Sequence, residues 1–302
     1  MSAQSVLFDA PGPRARRRML LGNIVGALVV VLIGVFVVYQ MHAHDQLTAE
    51  KWAPMIEGRT WIYYFLPGLQ NTLVAAAYSI VLALVFGLVF GVGRLSSNRL
   101  IRWFCGVVVE FFRAVPVLIM MIGGWIFCAQ VLRLDPALSP LLGVIIGLTL
   151  YNGSVIAELV RSGVHGLPKG QREAGLAIGM TRGQSIRSIE LPQALMAMLP
   201  ALVSQFVVVL KDSALGAIIT YNELLRSARL IGADAPFPVL QSFFVIAIIY
   251  IVLNAILSWI AGKVARRIGG RTSGKVGGGT VKGGINGAVS VRAIQKSEMG
   301  QV

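Results

Sequence analysis

Six apolar runs divide the chain: Met19–Met41, Leu69–Gly93, Phe104–Leu132, Leu138–Leu159, Ala194–Thr220 and Val239–Val264. A helix needs about 20 apolar residues to cross a hydrocarbon core, and every run reaches that length. The first run follows Arg14, Arg16, Arg17 and Arg18, as the core of a signal peptide would. It exceeds the roughly 7–15 apolar residues of such a core, and no small-residue cleavage site stands out after it, so it reads as a retained span. Val115-Pro116 predicts a kink in the third run, and Gly87 and Gly91 form a small-xxx-small pair suited to close helix contact.

The fold class expected is therefore all-α transmembrane, with about six membrane-spanning helices. Composition agrees: of 302 residues, 56% are hydrophobic and only 13% charged, about half the charged share of a soluble domain. The net charge of +14 could suggest nucleic acid, but the placement of the cations points to lipid. With the N-terminus inside and the spans alternating, nineteen Lys and Arg fall in inside segments and five in outside ones. This bias predicts six spans with both termini cytoplasmic, and cationic flanks facing anionic headgroups need no nucleic acid.

The chain then divides into a basic cytoplasmic N-terminus (1–18), a first transmembrane helix (19–41), an extracytoplasmic segment (42–66), a helical membrane domain (67–268) and a tail (269–302). The segment 42–66 carries Trp52, Trp61, Tyr63 and Tyr64, residues that favour the headgroup level. The tail, rich in Gly, Ser and Lys without apolar periodicity, reads as disordered.

The cytoplasmic loop 166–192 carries the most specific pattern. Pro168 suits a first helical position, Gly179 a left-handed C-terminal cap, and Thr181 with Gln184 a capping box that restarts a helix. Pro192 fits the entry to the fifth span. Ala174, Leu176, Ala177 and Ile178 give the first of these two short helices a small apolar surface. Such a pair can dock in a groove, or it can be a solvated amphipathic connector. The residues alone leave both open.

Polar residues inside spans default to functional candidates. Arg113, Glu158, Arg161, Lys211 and Asp212 qualify, with Asn152 and Ser154 more central in the fourth run. Lys211-Asp212 reads as a neighbouring pair deep in the fifth span, either lining a path for a zwitterionic substrate or locking helix packing as an ion pair. Glu158 and Arg161, three apart, share a helix face near the cytoplasmic end of the fourth span. Asn152 and Ser154 can bond substrate or a facing helix.

Other motifs fall away. Asn152-Gly-Ser154 matches a glycosylation acceptor but sits at membrane depth. Gly269–Lys275 resembles the start of a phosphate loop, yet Val276 stands where Ser or Thr is required and no strand precedes it. His42, His44 and His165 form no metal pattern, and Cys105 and Cys128 lie singly in apolar runs as packing residues. No catalytic residue, metal or bound cofactor is expected. With no nucleophile–base motif, a membrane-embedded enzyme has no support, and a secondary carrier driven by an ion gradient would show internal repeats, of which none is visible.

The loop resembles the signature of permease subunits of binding-protein-dependent ABC importers: Glu-Ala-Ala, three residues, Gly, nine residues, Ile-x-Leu-Pro. Glu173, Ala174, Gly179, Ile189, Leu191 and Pro192 stand at that spacing, and Gly175 replaces the usual second Ala. Gly loosens a helix by about 1 kcal/mol relative to Ala but keeps the surface small. The resemblance extends from about Leu66 to Arg267 and points to the polar amino-acid branch through Gly68–Leu73, Glu110–Pro116, Ala157–Arg161, Pro168–Glu173, Leu191–Ala194 and Leu210–Leu215. Phe111–Pro116 and Tyr151–Ser154 look most like glutamate permeases.

The resemblance implies that residues Glu173, Ala174, Gly175, Gly179, Ile189, Leu191 and Pro192 couple the spans to an ATPase. The polar residues inside the spans supply the candidates for a translocation path: Asn152, Ser154, Glu158, Arg161, Lys211 and Asp212. The implied partners are two ATPase subunits that use ATP-Mg, a second permease subunit in a hetero- or homodimer, an extracytoplasmic substrate-binding protein, and membrane lipid.

Overall fold

A computed structural model describes residues 12–235 and 238–272, with side chains up to 264. The described residues form helices and no strand. In chain order these are α1 (Pro13–Ala43), α2 (Ala49–Ile56), α3 (Gly58–Gly93), α4 (Arg99–Ala114), α5 (Val117–Val131), α6 (Leu138–His165), α7 (Lys169–Ala177), α8 (Arg182–Ile219), α9 (Leu224–Ala233) and α10 (Val239–Thr272). Helix α10 runs past Gly269, and the rest of the expected disordered tail lies outside the described residues, as do residues 1–11 of the basic N-terminus.

Helix α6 is the centre of the bundle: 56% of its most apolar window is buried, against none for α1. Helices α3, α4, α5 and α8 pack around α6, while α10 packs on α8 and α9. In lipid, helices associate through close packing rather than hydrophobic expulsion, so small residues mark the contacts. Gly91 of α3 sits so close to α6 that a Cβ would lie 2.8 Å from the Val160 Cβ, and Gly87 is blocked in the same way by Ile156. The small-xxx-small pair therefore performs the role its spacing predicts. A second such pair on α6, Gly143 and Gly147, faces α5, where added Cβ atoms would meet the Trp125 Cβ at 2.7 Å and the Met121 nitrogen at 2.8 Å.

The third expected span, Phe104–Leu132, is not one kinked helix. Val115 (φ −79°, ψ 129°) and Pro116 (φ −58°, ψ 133°) are both extended, and α4 and α5 meet at 98°. Proline drives the residue before it out of the α region, so two consecutive residues leave the helix and the chain turns a corner. The far end of α4 is anchored level with the end of α3: Arg94, which caps α3, bonds Glu110 at 3.0 Å. A crossing helix would carry Glu110 about 16 Å deeper than Arg99. Helix α4 therefore lies across the end of the bundle and α5 carries the chain on through it, the bent pair together counting as one candidate crossing.

Two other boundaries move. The second span begins at Gly58, before the expected Leu69, so it takes in the end of the expected extracytoplasmic segment 42–66; within that segment Ala49–Ile56 folds as α2 with Met55 buried and Trp52 edge-on to Phe244 of α10. The fifth span is continuous from Arg182, so the expected second short helix is the beginning of α8 rather than a separate piece. Both helices absorb a proline through a π turn. Residues 61–65 widen before Leu66-Pro67, and residues 186–190 before Leu191-Pro192. Proline has no N–H to give, and its ring crowds the carbonyl a turn back, so a wider turn keeps the helix unbroken.

Candidate functional site

The loop between α6 and α8 is rigid inside and bare outside. Pro168 caps α7 from just outside rather than occupying its first turn. At the other end Gly179 has φ +84°, the Met180 N–H donates to the Gly175 carbonyl (3.1 Å) and the Gly179 N–H to the Leu176 carbonyl (3.0 Å). This pair of bonds is a Schellman cap, which uses glycine's freedom at positive φ to close the helix. Two residues on, the Gln184 N–H donates to Thr181 Oγ1 (3.4 Å) and the Thr181 N–H to Gln184 Oε1 (2.8 Å), the reciprocal capping box that starts α8.

Gly175 is buried where α7 crosses α8; a Cβ there would lie 2.9 Å from Ser185 Oγ and 3.1 Å from Ile189 Cδ1. Ser185 is fixed in turn, donating to Glu190 Oε1 at 2.7 Å, and Arg182 pairs with the same oxygen. Glu190 is 3% exposed. Gln193 of α8 donates to Gln171 Oε1 of α7 at 3.0 Å, a second tie between the helices. Ile189 and Leu191 are half-buried and Pro192 exposed.

The outward face of α7 has no cover among the described residues. Glu173, Ala174 and Ala177 are exposed, Leu176 is 43% exposed and Ile178 74%. Glu173 makes no ion pair among the described residues. Five of the seven residues expected to couple thus fall into two groups. Gly175, Gly179 and Ile189 hold the pair of helices together, and Glu173 and Ala174 face outward.

The six path candidates do not converge on one site. Asn152 is fully buried, donates to the Leu148 carbonyl (3.0 Å) and accepts from Gln205 Nε2 of α8 (2.5 Å), so its amide bonds a facing helix. Ser154 is buried as well. Glu158 and Arg161 join a five-residue ionic cluster: Glu158 meets Arg161 at 2.5 Å, Arg94 at 2.8 Å and Arg113 at 3.8 Å, while Arg113 also meets Glu110 at 3.2 Å. Three arginines face two glutamates, leaving one surplus positive charge. Glu110, Arg113, Tyr151 and Glu158 line a cavity of about 380 Å³ beside it.

Lys211 and Asp212 lie elsewhere, at the last α-helical residues of α8 before its 3₁₀ end, Ser213–Ile219. They form no ion pair with one another, contrary to the expected pair: adjacent helical residues point in divergent directions. Neighbouring Val209 packs with Val144 and Leu148 of α6. Glu158 is ten residues beyond Leu148, about 15 Å along the helix.

Several polar anchors escaped the sequence. Glu190 occupies the unspecified position of the Ile-x-Leu-Pro motif, and Gln205 carries no local pattern that sets it apart. Glu223, fully buried between the last two spans, caps α9 by accepting from the Leu225 and Arg226 N–H groups (2.8 Å each) and from the Tyr250 hydroxyl (2.8 Å). Burial pushes its carboxyl above the usual carboxylate range, and those three donors pull it back. Its signal was weak, because Glu is seldom an N-cap.

Known proteins match this geometry. The chain is 50% identical over 221 residues, 73% of its length and 81% of the relative's, to the glutamate transport system permease protein GluD of Corynebacterium glutamicum. It is 31% identical over 174 residues to the glutamate/aspartate import permease protein GltK of Escherichia coli, covering 56% of this chain and 78% of that one. A solved amino-acid ABC transporter crystallised with histidines superposes with TM-score 0.61 at 27% identity, over 67% of this chain and 93% of that one. The inward-facing MetNI methionine transporter shares the fold (TM-score 0.60, 21% identity, 70% and 99% coverage). Residues 83–270 match the family described as binding-protein-dependent transport system inner membrane component. The chain belongs to that family: it is a multi-pass permease subunit of an ABC importer, whose ATPase is a separate subunit.

Proposed function

We propose that this permease imports an acidic amino acid, glutamate or a close relative, and that the loop 166–192 seats in a cleft of the ATPase subunit on the cytoplasmic side. The observation that carries the coupling reading is the bare outward face of α7, which sets Glu173 among exposed Ala174, Leu176, Ala177 and Ile178 on a helix closed at its C-terminus by a Schellman cap. Exposed aliphatic side chains on a short rigid helix are what a groove on a partner would cover. Nucleotide-driven closure of two ATPases with ATP-Mg bound would then move α7, and through Gly175, Ser185 and Glu190 the base of α8.

The acidic substrate is supported by the names of the two relatives, a glutamate permease and a glutamate/aspartate permease. The path would draw on Glu158 and Arg161 at one level and on Lys211 and Asp212 at another, with Asn152 and Ser154 between. Both termini would be cytoplasmic, in line with the bias of Lys and Arg. A second permease subunit, the same chain or another, would complete the pore, and a substrate-binding protein would deliver to its outer face.

Uptake of labelled glutamate into proteoliposomes holding the assembled importer tests this reading. Glu173→Lys and Gly179→Asp should each cut ATP-dependent uptake about tenfold or more, as loss of about 1.4 kcal/mol of docking would. Membrane insertion should stay normal. Unchanged uptake would refute the coupling role. Uptake driven by an ion gradient without ATP would favour a secondary carrier, and uptake of arginine in place of glutamate would refute the acidic substrate.

A further inference from the structure

A groove of about 870 Å³ runs along the side of the bundle between the end of α3, the start of α4 and the start of α8. It lies apart from the outward face of α7, since neither Leu176 nor Ile178 lines it. Its floor is aliphatic: Leu88, Val89 and Val92 from α3, Ile101 from α4, Ile186 and Leu191 from α8. Its rim is polar and cationic: Ser96, Ser97, Thr181, Gly183 and Arg187. Arg187 is exposed and has no ion-pair partner among the described residues. Arg102 reaches the same rim, donating to the Ser96 carbonyl at 2.8 Å.

The groove's depth selects its occupant. Leu88, Val89 and Val92 belong to the last turns of one span, and Ile186 and Leu191 to the cytoplasmic start of α8, so the groove straddles the hydrocarbon edge. The rim belongs to the loop end and lies at the headgroup level. Beside it α4 lies across the bundle with Leu100 and Trp103 exposed (77% and 67%) next to Arg99 and Arg102, the pattern of a helix resting in the interface. Water has little to bond on the floor, and the volume falls within the roughly 300–1,000 Å³ of small-molecule sites. An apolar tail below Arg187, which has no ion-pair partner among the described residues, and beside Arg102, which is tied to the Ser96 carbonyl, is the complement of an anionic phospholipid.

We propose that the groove is a binding site for one anionic phospholipid, its acyl chain on Val89, Val92 and Leu191 and its phosphate on Arg187 and Arg102 with the hydroxyls of Ser96 and Ser97. Because Ile186 and Arg187 belong to the π turn at the C-terminal end of the loop 166–192, the bound lipid braces the base of α8. The site rests on α3 and α8 spanning the bilayer and does not depend on the amino acid carried.

Native mass spectrometry of the full chain, purified with its partner subunits, reads the site directly. The probes are phosphatidylglycerol and phosphatidylcholine with matched chains. Phosphatidylglycerol should be retained in preference, and Arg187→Gln should cut that preference about fivefold, the conversion of about 1 kcal/mol per basic residue at an anionic surface. Val92→Trp, which fills the floor, should lower retention of both lipids. Equal retention of the two lipids by the unaltered protein would overturn the proposal, as would a preference unchanged in both variants. Displacement by glycerol 3-phosphate alone would reveal a free-phosphate site instead. A disulfide between Val89→Cys and a partner chain in native membranes would reveal a protein occupant. Either result would also overturn it.

Discussion

Gly175 and Gly179 stand one helical turn apart and are glycine for different reasons. At Gly179 the space is open and only the backbone objects: φ is +84° and no heavy atom lies within 4 Å of an added Cβ. A non-glycine residue there costs about 1–2 kcal/mol, least for Asn. Gly179→Asn should therefore keep more uptake than Gly179→Val, and equal loss in the two would remove the conformational explanation. At Gly175 the backbone is ordinary and the space is closed by Ser185 Oγ. Gly175→Ala should weaken the loop even though Ala favours a helix, and Ser185→Ala should relieve it. A double-mutant cycle on thermal stability should show coupling of about 1 kcal/mol between the two positions, whereas additive effects would deny the contact. The capping residues were legible in the sequence, because a capping box and a C-terminal glycine are local signals. The closeness of Gly175 to Ser185 was not, since it depends on how α7 folds back. From the sequence Gly175 looked like a loosened helix position; in the fold it is the point where α7 touches α8.

Among the elements, α4 departs most from what its composition suggests. Its apolar residues merge with those of α5 into one hydropathic run, and hydropathy does not record direction. Only the two extended residues at Val115-Pro116 and the Arg94–Glu110 pair reveal that the first half lies flat. Leu100, Phe104, Val107 and Phe111 are all exposed and recur on one helical face. Nitroxides at these four positions should report nearly equal membrane depth by oxygen and nickel accessibility. A progression of about 1.5 Å per residue would mean that α4 crosses. Close packing around α6 gives a second test. Gly91→Leu should lower the melting temperature of the purified protein through overpacking of about 1–3 kcal/mol, while Gly106→Leu, with open space around it, should leave it unchanged. Equal effects would mean that the α3–α6 contact does not depend on small residues. The Gly87–Gly91 pair could be read from the chain; Gly143 and Gly147 obey the same rule but are separated by three apolar residues in a run already read as a span.

At the scale of the whole molecule, the count of crossings survives the corner at Pro116, since α4 and α5 together still make a single passage. The charge bias then predicts that Ser97 and Asp135 lie on opposite sides. Cysteines placed there should react with an impermeant maleimide from the cytoplasmic and external faces respectively, and labelling of both from one face would reverse the assigned topology. The path candidates were harder to read. Charge within a span marked Glu158, Arg161, Lys211 and Asp212 equally, yet the fold separates them into two levels, and linear sequence has no measure of which ends of two helices meet. Helix α1 is of another kind: none of its side chains is buried among the described residues. Nothing in the bundle reads the order of its residues, so shuffling the aliphatic positions within 19–41 should leave both insertion and melting temperature as they were. Such permutation-indifference is the signature of a segment whose only grammar is oiliness and length, free to drift while its neighbours are held letter by letter.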